Sequence, residues 1–201
     1  NDLLLQRDGN RYRWELLENR NLTLQHLDTN EVLKTVRLGI ECGRLPEDTG
    51  TDVPAILGKF GLLKDGVLNN AAAVLFGKHE DMEYPQCLLR LARFKGTDKT
   101  VFMDSQRIQG NFFQLLNAAM AFIFKHLSLS GTTDTLEREE HLTIPYKAIR
   151  EGVLNSLTHR SYKEAGGSVG IAIYDDRVEI ENPGTFPPDW NAEKMREIGR
   201  A

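Results

Sequence analysis

Val32, Leu33, Val36 and Ile40 recur at steps of three and four residues, with Asp28 or Thr29 ahead as a cap and Gly43 behind as a stop. That spacing predicts a helix from roughly Asn30 to Cys42. Asp52 caps a shorter helix running to Leu57 or Phe60, and Leu62 to Gly66 ends in a turn. Asn69 to Gly77 is a short apolar run closed by glycine, expected to be a helix passing into a strand. Gln86 to Lys95 alternates as a strand does, whereas Gly96 to Ser105 is polar and expected to be exposed. The longest apolar-periodic stretch is Phe112 to Leu129, a helix with Phe113, Leu116, Ala119, Met120 and Ile123 on one face. Gly131 to Glu140 is polar and charged and is the best domain boundary in the chain. Beyond it, Pro145 opens a helix running to about Arg160. Val169, Ile171 and Ile173 then alternate as a strand, Asp175-Asp176 turns, Val178 and Ile180 alternate back, and Asn182-Pro183-Gly184 ends the hairpin before a short helix from Asn191. At the amino end, Leu3 to Gln6, the Asp8-Gly9 turn, and Tyr12 and Trp14 read as another hairpin. A lone hairpin is marginal in water, so this one is expected to join a larger sheet.

The order of elements predicts an α/β (α+β) fold. Composition narrows the class further. Of 201 residues 40% are apolar and 27% charged, which excludes fibrous and wholly disordered chains. The net charge of −4 supplies no overall basic field for nucleic acid, so any such contact would be local. Two cysteines, Cys42 and Cys87, without a Cys/His cluster support neither a disulfide framework nor a zinc site. No apolar run approaches the ~18 residues of a membrane helix, and the polar start is no signal peptide. A cytoplasmic protein without membrane contact is the expectation. The chain starts without Met and stops without a helix cap, the pattern expected of a piece of a longer protein.

The Pro145 helix carries the chemistry. At 100° per residue, Glu151, Asn155, Thr158, His159 and Tyr162 lie within about 100° of one another, opposite Ile149, Val153, Leu154 and Leu157. One carboxylate, one amide and one imidazole can serve a phosphate or a metal, since a carboxylate can activate water and an amide oxygen is a hard ligand suited to Mg²⁺. Taken alone, the same face reads more simply as an ordinary polar surface. Arg90, Arg93, Lys95 and Lys99 with Phe94 form the one locally basic stretch. They suit a nucleic-acid patch or, more simply, the solvent face of a strand. The scattered histidines read as structural or exposed, and Ser156 and Ser161 beside His159 do not make a hydrolase triad. Gly166-Gly167 reads as a loop that lets a strand begin.

Glu151-x-x-x-Asn155 on a helix, a Gly-Gly loop, two strands about a tight turn and then Asn182-Pro183-Gly184 resemble the gyrase, chaperone, histidine kinase and mismatch-repair (GHKL) ATPase superfamily. The run Ile144 to Tyr162 (IPYKAIREGVLNSLTHRSY) and the run Asp175 to Gly184 (DDRVEIENPG) look like the RecG-related ATP-binding transcriptional regulators. Leu62 to Gly77 and Ala92 to Asp98 are similar to the segment preceding that module. The resemblance implies three parts. Residues 1–21 would be the tail of an amino-terminal AlbA-type (Schlafen-like) domain, 22–130 a connecting α/β region, and 141–201 the first half of a Bergerat-like (GHKL) ATP-binding sandwich.

It also implies ATP and Mg²⁺ as ligands. Asn155 would hold the metal, Glu151 would be the catalytic carboxylate, and Asn155, His159, Asn182 and Gly184 would meet the nucleotide. DNA would bind mostly through domains outside this stretch, and a homodimer is admitted. Three functions follow: nucleotide sensing in a DNA-binding transcription regulator, a Mg-dependent ATPase using Glu151 as general base, or a degenerate module used for dimerisation. Two departures count against tight binding. The superfamily's Asp-x-Gly-x-Gly is here Asn182-Pro183-Gly184-Thr185-Phe186, and an amide accepts a hydrogen bond more weakly than a carboxylate. The chain also ends before a second glycine-rich box. A helicase motor is excluded for this stretch, because Gly58 to Lys64 lacks the spacing and the Ser/Thr of a phosphate loop.

Overall fold

The computed structural model describes residues 13–78, 84–127, 129–132, 139–142 and 144–184, with strand pairing alone in 129–132 and 139–142. Most of the hairpin expected over residues 3–15 and the helix expected from Asn191 lie outside these residues.

Local signals set the first half. Helix α1 (Thr29–Glu41) begins where the Asp28 carboxylate accepts from the amides of Asn30 and Glu31, and it stops at Gly43, whose φ is +65°. Helix α2 (Val53–Lys59) begins at Asp52, which accepts from the Ala55 amide at 3.0 Å. Strands β1 (Leu63–Lys64) and β2 (Val67–Leu68) turn at Asp65-Gly66, both at positive φ, as a two-residue hairpin requires. Helix α3 (Asn70–Phe76) is capped by Asn69 and runs the length of the apolar segment, so the expected passage into a strand is corrected to helix alone. The run is apolar all round because Ala72, Ala73, Val74 and Phe76 are all buried. Leu27, Val32, Val36, Ile56, Leu57 and Phe76 form the heart of this first core.

The second half is a sheet under two helices. Strand β3 (Leu88–Phe94) pairs antiparallel with β4 (Phe102–Gln109). Helix α4 (Phe112–His126), the hairpin of β5 (Leu129–Thr132) and β6 (Glu139–Leu142), and helix α5 (Tyr146–Thr158) follow. Strand β7 (Val169–Ile173) then returns to pair parallel with β3, and β8 (Val178–Glu181) pairs antiparallel with β7. The sheet order is β4-β3-β7-β8. In the segment expected to be polar and exposed from Gly96 to Ser105, residues 102–105 lie in β4, where Phe102, Met103 and Ser105 are exposed as expected and Asp104 is half-buried. Phe102 and Met103 are apolar rather than polar, and both stand exposed on this edge strand.

Leu89, Leu91, Val169, Ile171 and Ile173 face α4 and α5. Val153 and Leu157 are wholly buried there, at roughly 1.5–3 kcal/mol per side chain, which fixes the rotation of α5 and turns Glu151, Asn155 and Thr158 to its exposed side. One sheet and one core therefore draw on both sides of residues 131–140. The two cores meet where Phe76 stacks on Phe113 at 5.7 Å and the buried Asn111 side chain donates to the Gly77 carbonyl at 3.0 Å.

Candidate functional site: one face of α5 and the turn after β8

The rotation of α5 presents Glu151, Asn155, Thr158 and His159 to solvent. Glu151 and Asn155 stand one turn apart and touch, with Asn155 Nδ2 donating to Glu151 Oε1 at 3.2 Å. That contact spends the Asn155 amide nitrogen and Glu151 Oε1 on each other. His159 caps the helix, its amide donating to the Asn155 carbonyl at 2.9 Å.

Tyr162 does not share this face. The helix ends at Thr158, and the Tyr162 hydroxyl turns back to donate to the Leu157 carbonyl while its ring stacks on Trp14. Arg160, at 5% exposure, also points inward, over the Tyr162 ring and onto the Gln86 carbonyl at the start of β3. The end of α5 is thus tied to the sheet.

The chain after β8 packs against that same end. The Ser161 amide donates to the Pro183 carbonyl. A Cβ on Gly184 would fall 2.7 Å from the His159 carbonyl oxygen and 3.2 Å from Asn182 Nδ2, so the approach is open only to glycine. On the other side, Pro183 lies against Gly167, whose φ is +91° and whose Cβ would come 3.1 Å from the proline ring. The turn Asn182-Pro183-Gly184 is held between the loop before β7 and the end of α5. Sequence reading placed Gly167 in a loop without this contact, and its only local signal was the Gly-Gly pair.

The five expected site residues divide into two groups along the helix. Glu151 and Asn155 form one. His159, Asn182 and Gly184 form the other, a turn further on, with Asn155 bridging through its carbonyl. Among the described residues no three of His, Cys, Asp and Glu gather as a metal cluster. One carboxylate and one amide oxygen still fit Mg²⁺, which keeps most of its waters and takes one or two protein oxygens beside substrate phosphates.

The basic stretch on β3 splits between roles. Arg93 is tied to the Asp175 carboxylate, which also accepts from the Gly96 amide, and together they hold Asp175 below the usual carboxylate range. Arg90 is exposed on the far face of the sheet. Of the histidines, His26 closes a capping box with Thr23, and His126 lies 2.8 Å from Asp104.

Residues 166–200 match the family model described as "Putative ATP-dependent DNA helicase recG C-terminal", an ATPase-like domain. The described part of that match is the loop before β7, the β7–β8 hairpin and the Asn182-Pro183-Gly184 turn. No curated protein matches the chain. The fold is similar to that of the DIP2311 protein from Corynebacterium diphtheriae, with a TM-score of 0.69 at 14% identity, over 96% of this chain and 37% of that one. This chain therefore spans little more than a third of the length of that protein. Among the described residues no helix is long and apolar enough to cross a membrane.

Proposed function

We propose that this chain carries the nucleotide-sensing part of a DNA-binding transcription regulator. The observation that carries the reading is the packing of Asn182-Pro183-Gly184 onto the end of the helix that presents Glu151 and Asn155. The match of residues 166–200 to an ATPase-like domain independently supports the nucleotide part of this reading. In this reading the Asn182 amide meets the adenine edge, and Gly184 lets the base lie against the backbone. Asn155 Oδ1 and the free oxygen of Glu151 hold the metal side of the phosphates. Bound Mg²⁺ would neutralise phosphate charge. His159, at the carboxyl end of α5, adds a donor toward the ligand. DNA contact lies mostly in domains beyond this stretch.

An ATPase is the second reading. It rests on the Glu151 carboxylate, which spends only Oε1 on Asn155 and keeps Oε2 free to take a proton from water. Calorimetry with Mg-ATP tests both. Binding is expected for the chain and for Glu151→Gln, and its loss is expected in Asn155→Ala at an unchanged urea midpoint. A millimolar site under ~10 mM nucleotide would also raise stability by about 1.4 kcal/mol. Absence of both heat and stabilisation overturns the nucleotide site. Turnover that vanishes in Glu151→Gln selects the ATPase. DNA affinity that shifts with nucleotide in the longer protein selects the regulator.

A further inference from the structure

Among the described residues no helix packs on the face of the sheet turned away from α4 and α5; Phe94, Phe102 and Tyr174 stack together at one end of it, and strand pairing orders the rest into cross-strand rows. One row reads Arg107, Arg90, Gly170, Glu181 across β4, β3, β7 and β8. The next reads Ser105, Ala92, Ala172, Glu179. The small residues of β3 and β7 leave a shallow concavity of about 630 Å³ between Arg90 and Arg107 on one side and Glu179 and Glu181 on the other, with Lys99, Phe94 and Phe102 also in its lining.

Among the described residues the charges on this face are not all paired. Arg90 and Arg107 are directly opposite each other, an arrangement of like charges that destabilises a strand pair. Glu179 is paired with Arg177 at 2.7 Å, but Arg90, Arg107 and Glu181 have no ion-pair partner among the described residues. Arg107 and Glu181 are three strand spacings apart, about 14 Å, too far to meet within one sheet. An occupant must bring negative charge to β4 and β3, positive charge to β8, and little bulk to the centre.

We propose that the occupant is a second copy of this chain, packed sheet on sheet about a two-fold axis parallel to the strands and lying between β3 and β7. That axis reverses each row over itself. Arg107 meets Glu181 of the partner subunit, Arg90 extends over Gly170 of the partner subunit, and Ala92 and Ala172 oppose one another at the close spacing of stacked sheets. An isologous contact repeats each pair twice, as closed dimers do. Single-stranded nucleic acid suits the arginines but not Glu179 and Glu181, whose charge repels phosphate. The surface lies across the sheet from α5, so the proposal is independent of the nucleotide reading.

Sedimentation equilibrium at tens of micromolar tests it. The chain is expected to dimerise, more weakly at 500 mM salt than at 50 mM. Arg107→Glu and Glu181→Arg are each expected to raise the dimer Kd at least tenfold, because each opposes like charges twice. An equimolar mixture of the two variants is expected to restore dimers, since each then supplies the charge the other needs. Restoration also proves that both variants are folded. A monomeric chain overturns the proposal, as does a dimer indifferent to both reversals or a mixture that stays monomeric. A monomer that binds a single-stranded oligonucleotide through Arg90 and Arg107 overturns it as well and assigns the face to nucleic acid.

Discussion

Three alanine substitutions at glycines test whether the turn after β8 is clamped onto α5. At Gly166 an added Cβ meets nothing within 4 Å, so Gly166→Ala is expected to be neutral or to stabilise by about 0.4–1 kcal/mol through the unfolded chain. At the next residue the backbone has φ +91°, which costs an L-residue roughly 1–2 kcal/mol, and the new carbon presses on Pro183 at 3.1 Å. With ~1 kcal/mol for that overpacking, Gly167→Ala should lose about 2–3 kcal/mol. Gly184→Ala places a carbon 2.7 Å from the His159 carbonyl oxygen, a backbone atom fixed in the helix cap. The turn must therefore retreat by several tenths of an ångström, at about 1–3 kcal/mol. Urea unfolding followed by circular dichroism ranks the three, provided the m-values agree. Gly167→Ala and Gly184→Ala press on the turn from opposite sides, so their effects should not add. A Gly184→Ala midpoint equal to that of Gly166→Ala would falsify the clamp, and the grouping of Asn182 with His159 would go with it.

Other outcomes follow from single side chains. Asn111 caps α4 by accepting from the Gln114 amide and donates to the Gly77 carbonyl while 1% exposed. Asn111→Ala should cost ~1 kcal/mol for the cap plus about 1–3 kcal/mol for the orphaned carbonyl, read by urea unfolding, whereas Asn111→Ser keeps a capping oxygen and loses mainly the second part. Burial pushes the Cys87 thiol up to about 12. Its folded pKa is thus raised, so its share of stability is complete below the unfolded value near ~8.5 and falls with rising pH at up to ~1.4 kcal/mol per pH unit until the folded thiol titrates. Cys87→Ala should flatten that alkaline decline. In native protein at pH 8 a maleimide should label Cys42, which is exposed, and spare Cys87.

Legibility in the sequence followed the range of the interaction. Asp28 and Asp52 act within three residues, and α1 and α2 begin where those signals lie. Strands β7 and β8 alternate plainly because one side of β7 meets a core and the other does not. Strand β4 went unread because its residues are half-buried at most, leaving little apolar alternation to detect. Segment 69–77 misled because a helix packed on every side and a buried strand show the same unbroken apolar run. On α5 the contact between Glu151 and Asn155 was legible from helical spacing, and so was the outward side of His159. The arrival of Asn182 and Gly184 at the end of that helix was not, since it depends on the strand β7 and on a proline fitting against Gly167. Likewise, nothing in the composition of 22–130 and 141–201 indicates that β3 and β7 share a sheet.

The parallel pairing of β3 with β7 has a consequence for synthesis. Strand β3 ends at Phe94 and its central neighbour begins at Val169, so one edge of β3 waits unpaired while the intervening chain is made. At ribosomal rates of about 5–20 residues per second that interval is roughly 4–15 seconds. Throughout it that edge of β3 stays an open strand, a template for pairing with any other nascent chain, while α4, made within the same interval, can already cover Leu89 and Leu91. The early core of α1 to α3 can close during the same interval, because its contacts are local. Chaperone demand during translation should therefore concentrate between the emergence of β3 and that of β7.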